Sequence, residues 1–209
     1  VGILALSLLL GSILVPGLLQ AAEQKPEWRI GSEFTYVQTW GNQTSEFTQK
    51  VTGSEKIGDN SCWKVEVKAG NTSSYAWYDK NTLGVWKISQ ESLGIVIVCT
   101  WSPQPANKIL PIDNRSYDTK MKFELGGQPI GEMNVTYEIT NKCLETVTVP
   151  AGTFEAYHLV IEQTTDSGGG QPSTTTLEAW YSTKPSNIVR ETQELMGITI
   201  TTELKSFKL

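Results

Sequence analysis

Few side chains here are suited to acid–base, nucleophilic or metal chemistry. His158 is the single histidine, and Cys62, Cys99 and Cys143 are the three cysteines. His158 falls in an alternating run, Phe154 to Gln163, whose parity puts it on a polar strand face rather than beside a nucleophile. A serine elbow reads Gly-x-Ser-x-Gly between a strand and a helix. Gln90-Glu91-Ser92-Leu93-Gly94 lacks the first glycine and the helix. One histidine and three cysteines scattered along the chain do not read as a metal cluster. Asp113 and Asp118 are too sparse for a calcium loop. Hence no catalytic residue, no metal and no cofactor is expected. The one carboxylate pair worth weighing for glycoside chemistry is Glu91 and Glu194, and solvated strand-end acids are the preferred reading of both.

Those two glutamates stand out because the chain repeats itself. Adding 103 to Trp77, Tyr78, Gln90, Glu91, Gly94, Ile95 and Ile97 gives Trp180, Tyr181, Gln193, Glu194, Gly197, Ile198 and Ile200. Upstream, a shift of 94 carries Trp63, Lys64, Val65 and Val67 onto Tyr157, His158, Leu159 and Ile161. The nine extra positions fit the Gly-rich tip Thr165 to Ser173, where insertion is tolerated. Gly94 and Gly197 are expected to begin strands. Ile95, Ile97, Ile198 and Ile200 are expected to fill a core.

The elements around these residues alternate with period two. Phe34, Tyr36 and Trp40 share one parity before a Gly41-Asn42 turn. Trp63, Val65, Val67 and Ala69 oppose Lys64, Glu66 and Lys68. Met121, Phe123 and Leu125 precede a Gly126-Gly127 turn, and Met133 to Ile139 returns. No window past the N-terminal run has the 3.6 period of a long helix. The expected fold is all-β, a curved antiparallel sheet or open barrel built from two similar halves. The expected division is a signal segment over 1–22, incomplete at its start, then a single β-rich domain over 23–209. Its repeats span about 31–101 and 117–209, joined by a Pro-rich connection over 102–116. Ile109, Leu110 and Ile112 imply that this connection packs down on the sheet.

Val1 to Leu19 is almost wholly apolar, broken by Pro16-Gly17 and followed by Ala21-Ala22, the pattern of an export signal. An uncleaved membrane anchor is the alternative, and only through it is a membrane expected as partner. The location expected is therefore extracytoplasmic: periplasmic, cell-surface or extracellular. Export permits disulfides. Cys62 with Cys143 is the preferred pair, set against three small buried thiols. Asn42, Asn71, Asn114 and Asn134 head Asn-x-Ser/Thr sequons. The net charge is −5 with no basic cluster, which disfavours nucleic acid.

Seven tryptophans and seven tyrosines are the stronger signal. In the pairs Trp77-Tyr78 and Trp180-Tyr181, one ring must point to each side of the sheet. Core filling explains them without a ligand. The functional reading is that Trp63, Trp77, Tyr78, Trp86, Trp180 and Tyr181 contribute rings to a concavity holding a hydrophobic or amphiphilic small molecule.

Val149-Pro150-Ala151-Gly152-Thr153-Phe154-Glu155-Ala156-Tyr157, then Glu178-Ala179-Trp180-Tyr181-Ser182 and a terminal Leu204-Lys205-Ser206-Phe207-Lys208-Leu209, resemble a group of exported prokaryotic β-rich proteins. That group is distantly similar to periplasmic lipoprotein carriers of the LolA/LolB-like kind. The resemblance implies a curved antiparallel sheet cradling a hydrophobic guest, with no catalytic residues. Three functions follow as expectations. The first is a non-catalytic extracytoplasmic protein that holds a lipid or other amphiphile. The second is an envelope module docking protein or glycan, and the third a carbohydrate-active enzyme using Glu91 and Glu194.

Overall fold

The computed structural model describes residues 25–209. The apolar segment read as an export signal lies outside them. Twelve strands follow in order: β1 (Glu33–Trp40), β2 (Gln43–Ile57), β3 (Asn60–Ala69), β4 (Thr72–Asp79), β5 (Val85–Ser92), β6 (Ile95–Ser102), β7 (Arg115–Leu125), β8 (Gln128–Val149), β9 (Gly152–Asp166), β10 (Ser173–Ser182), β11 (Asn187–Leu195) and β12 (Ile198–Lys208). Each pairs antiparallel with its neighbours in sequence, and β1 pairs with β12, so the all-β sheet closes into a barrel. Closure leaves no strand edge unpaired.

The hairpins carry the same irregularities at matching places. Trp77 pairs with Lys87 and Tyr78 with Val85, with a bulge between; Trp180 pairs with Arg190 and Tyr181 with Ile188, again with a bulge. A second bulge interrupts β2 at Val51/Gly53 and β8 at Asn141/Cys143. Tyr36 stacks on Phe47 and Tyr117 on Tyr137, both at 5.2 Å. The turns Leu93-Gly94 and Met196-Gly197 have positive φ at both residues, the primed geometry that matches strand twist. Gly94 and Gly197 are thus turn residues rather than strand starts.

Beyond the β2 and β8 bulges the buried face changes side. Val147 and Val149 are buried while Leu144, Thr146 and Thr148 are exposed, the reverse of the pattern upstream, where Val135, Tyr137 and Ile139 face the lumen. A bulge adds one residue and bends the strand, so both changes come from one cause. The tip of the β8–β9 hairpin folds outward against its neighbours: Ala151 N donates to Leu204 O at 2.9 Å, and Arg190 Nη2 to Thr148 O at 2.7 Å. In the first half, Ile57 and Cys62 cover Trp77 and Trp86 in the same manner.

One end of the barrel is floored. Trp28 packs on Phe34 at 5.3 Å and edge-on to Tyr78 at 5.4 Å, and its Nε1 donates to Ser186 O. The connection between β6 and β7 also packs down here. Ile109 N and Leu110 N both donate to Thr82 O, Ala106 bridges Val85, and Ala106, Ile109 and Leu110 are buried. Gly84 admits this segment: a Cβ there would lie 2.8 Å from Pro105 Cγ.

The opposite end, where the odd-to-even hairpins turn, is open. Ile88, Ile95, Ile97, Leu125, Leu195 and Ile198 share the parity of the inner wall, yet each is more than a third exposed. The isoleucines expected to fill a core therefore line a mouth, because the wall there has nothing opposite it to pack against. The outward residues Lys64, Glu66 and Lys68 give β3 a charged exterior, unlike the apolar belt of a membrane-spanning wall.

All three cysteines are free. Cys62 on β3 and Cys143 on β8 are not neighbours in the ring, so the expected bridge does not form. Burial pushes the Cys62 thiol up to about 11, the behaviour of a small apolar core group.

Candidate functional site

Above the floor lies a cavity of about 220 Å³. Tyr36, Gln38, Phe47, Gln49, Tyr78, Ala179, Glu191 and Thr202 project into it from the wall, and Leu83, Asn107 and Ile109 approach from the floor. A second space of about 180 Å³ shares Asn107, Leu177 and Glu191 with the first and adds Gln163, Thr175 and Gln193. The lumen is therefore zoned along its axis. On β11 the inner wall runs from exposed Leu195 at the mouth, through Gln193 and Glu191 at the waist, to Ile188 near the floor. On β12 the sequence Ile198, Ile200, Thr202, Leu204 follows the same order. On these two strands an apolar mouth leads through a polar waist to an apolar floor, by strand alternation with a change of residue type at each depth, whereas β9 and β10 carry Thr165 and Ser173 at the mouth.

Among the described residues, the waist holds one carboxylate and no basic side chain. Glu191 is half-buried, and burial raises its carboxyl above the ordinary range. Burial also pushes the Tyr78 hydroxyl up to about 12 and Tyr36 well above its usual value, with the nearby Glu191 charge adding to both. Tyr36 OH donates to Ile188 O at 3.0 Å, and Gln49 Nε2 lies 3.5 Å from Tyr78 OH. Lys108, on the floor segment, turns its ammonium to Gln104 Oε1 at 3.0 Å and over the Tyr117 ring at 4.0 Å. Asn187 accepts from Ile188 N through Oδ1 but has a buried Nδ2 with no partner. Among the described residues, the Glu191 carboxylate also stands without a hydrogen-bond partner, at a cavity lined by both polar and apolar side chains.

Of the six aromatics expected to line a concavity, Tyr78 alone does so. Tyr181 is its counterpart on the inner face but is closed into the core, its OH 3.4 Å from Ser186 Oγ. Trp63 packs beside the main core under Lys80, 4.0 Å from its ring. Trp77 and Trp180 face outward, as the parity of each Trp-Tyr pair requires. Trp77 donates to Glu55 Oε2 at 2.8 Å and Trp180 to Glu145 Oε1 at 2.5 Å. Trp86 is the extra residue of a bulge, packs with Cys62 and Trp77, and donates to Asp79 Oδ2 at 3.1 Å. Trp77 and Trp180 share no cavity, since the two rings belong to different clusters. Phe47, Gln38, Gln49 and Glu191, which sequence reasoning passed over, line the site. Their signal was the same alternation: Tyr36 and Gln38 share a parity, as do Glu191 and Gln193.

Glu91 and Glu194 are exposed on the outward parity of β5 and β11, strands on opposite sides of the ring. They do not flank a common cleft, so they cannot serve as the paired acids of a glycosidase. The histidine and cysteines read as scattered are partly reunited: Cys143 pairs with His158 across the β8–β9 ladder, with Glu145 alongside.

No protein-family model matches the chain, and no curated protein matches it. Among solved structures, a candidate lipoprotein of Parabacteroides distasonis ATCC 8503 is similar at 15% identity and a TM-score of 0.54, over 88% of this chain and 98% of that one. The hypothetical lipoprotein YmcC of Escherichia coli K12 is similar at 10% identity and a TM-score of 0.50, over 84% and 86%. An exported protein of Bacteroides fragilis NCTC 9343 with a YmcC-like fold aligns at 14% identity and a TM-score of 0.45, over 87% and 97%. The chain shares its β-barrel fold with the first two of these.

Proposed function

We propose that this is a non-catalytic, extracytoplasmic protein of the cell envelope that holds a small amphiphile in its barrel. Its tail would lie along the apolar mouth and its polar head at the waist. The observation that carries this reading is the axial zoning of the lumen: exposed inner-wall aliphatics on β5, β6, β11 and β12 lead down to a cavity with an unpaired carboxylate. Ligand sites are mostly apolar, with a few placed polar groups that fix orientation. At about 220 Å³ the cavity is smaller than the roughly 300 Å³ at which drug-sized sites begin. It suits a head group or short segment better than a whole phospholipid. With Glu191 and no basic residue at the waist, the head would bear a hydrogen-bond donor or positive charge.

Support for the compartment comes from the apolar N-terminal run of the sequence and from the lipoprotein descriptions of proteins sharing the fold. The test is native mass spectrometry with solvent extraction of purified protein, followed by titration with dodecylamine, dodecanoate and a neutral dodecyl glycoside. The expected result is a bound or bindable amphiphile, with the amine tightest. No binding of any of the three, and nothing extracted, would defeat the reading.

A further inference from the structure

We propose that Cys143, Glu145 and His158 form a zinc-type divalent metal site on the outer face of the barrel, beside the β8 bulge. Their donor atoms all lie within 4.8 Å of one another, and His158 Nδ1 is 3.6 Å from Glu145 Oε1. Zinc bonds of about 2.0–2.3 Å in a tetrahedron place neighbouring donors about 3.3–3.8 Å apart. The nitrogen–oxygen edge already has that length, and small side-chain rotations bring the thiolate to it. Thiolate, imidazole and carboxylate together are a borderline-soft set that suits zinc rather than calcium or magnesium.

The histidine is held as a ligand would be. Its Nε2 is 3.1 Å from Glu178 Oε2. A carboxylate only accepts, so with a metal on Nδ1, the side facing Cys143 and Glu145, the ring would give its Nε2 proton to Glu178. Trp180 stacks on the imidazole at 4.4 Å with planes 14° apart. The same indole donates to Glu145 Oε1 at 2.5 Å, which fixes that carboxylate, and the second lone pair of Oε1 is left for a metal. Cys143 and Glu145 are exposed, so an ion can enter and a fourth position is open to water.

The other half of the barrel supplies an internal control. At its equivalent bulge stand Gly53, Glu55 and Lys64, with Lys64 Nζ 2.9 Å from Glu55 Oε1 and Trp77 Nε1 2.8 Å from Glu55 Oε2. The glutamate held by an outward tryptophan is common to both. An ordinary ion pair therefore meets the structural need at this place. Where the first half has Gly and Lys, the second has Cys and His, the two residue types that ligate zinc.

The test is titration of reduced, full-length protein with Co(II) followed by Zn(II), read by absorbance. The expected result is one equivalent of Co(II) with a near-ultraviolet thiolate-to-metal band and visible bands of tetrahedral intensity, all bleached by Zn(II). The bands should vanish in Cys143→Ser, persist in Cys99→Ser, and require at least tenfold more metal in His158→Gln and about tenfold more in Glu178→Gln. Absence of a thiolate band, or its survival in Cys143→Ser, would overturn the site. Should Cys143→Ser fold poorly, the Cys143→Gly/His158→Lys pair restores the first half's ion-pair chemistry and must also lose the band. Amphiphile binding in the lumen is unaffected by these outward substitutions, so the two proposals fail independently.

Discussion

Glu191 is the residue on which the lumen turns. Burial raises its carboxyl pKa, so the folded chain holds a proton at a pH where the unfolded chain has released it. The folded state then binds more protons across that interval. Stability falls as pH rises from the unfolded value near 4.3 through the folded one, and is flat above. Glu191→Gln keeps the shape and removes the charge. We expect it to stabilise the empty protein at pH 7.5 by on the order of 1 kcal/mol, an advantage that disappears below about pH 4. Thermal unfolding of both proteins from pH 3.5 to 8 checks this, and parallel curves would refute it. The same variant should lose the preference for an amine over a carboxylate head. Sequence reading overlooked Glu191 because one acid in a run of Thr, Gln and Glu looks solvated. Only ring closure brings it near Tyr36 and Tyr78.

At the level of elements, the hairpins, their turns and the inward or outward parity of most residues were legible, because period-two alternation and Gly-Asn or Gly-Gly turns encode them locally. The bulges were not. Each depends on a register between two strands, and each moves the buried stripe to the other face. That shift explains why Val147 and Val149 are covered outside the barrel and why Cys143 meets His158. The floor was half legible: Ile109 and Leu110 announced packing, but not their seat on the β4–β5 turn. That seat depends on Gly84, where the nearest side-chain atoms of Pro105 and Lys108 come within 2.8 and 2.9 Å of an added Cβ. We expect Gly84→Ala to cost about 1–3 kcal/mol through overpacking. It should also raise hydrogen exchange at the Ile109 and Leu110 amides, which donate to Thr82 O. Unchanged exchange there would mean that the floor is held elsewhere.

For the whole molecule, the open end matters most. A barrel closed by packing alone would bury its inner aliphatics at both ends, whereas here Ile95, Ile97 and Ile198 remain exposed beside the fully exposed turn residues Leu93 and Met196. These apolar sectors sit on the β5–β6 and β11–β12 hairpins, on opposite sides of the ring, where the tail of the proposed amphiphile would enter. Polar replacement at the rim should therefore separate stability from binding. Ile97→Ser and Ile198→Ser are each expected to change stability by less than about 0.5 kcal/mol while weakening dodecylamine binding roughly three- to tenfold, the loss of about one buried methylene or more. Equal losses in both measurements would make these residues core after all. The mouth could not be read from the sequence, because a strand pattern shows which residues share a face but not whether another layer covers it.

Ring closure also fixes a direction. β1 rises from the floor and β12 returns to it, so Glu33 and Lys208 are cross-strand partners and the Arg29 guanidinium bonds the Leu209 carbonyl oxygen. Both described ends of the chain leave from the side opposite the mouth. A tether attached at either one, whether a lipid, a linker or a sensor chip, would present the opening outward, away from the surface that holds it. Two such barrels fixed to facing surfaces would meet mouth to mouth.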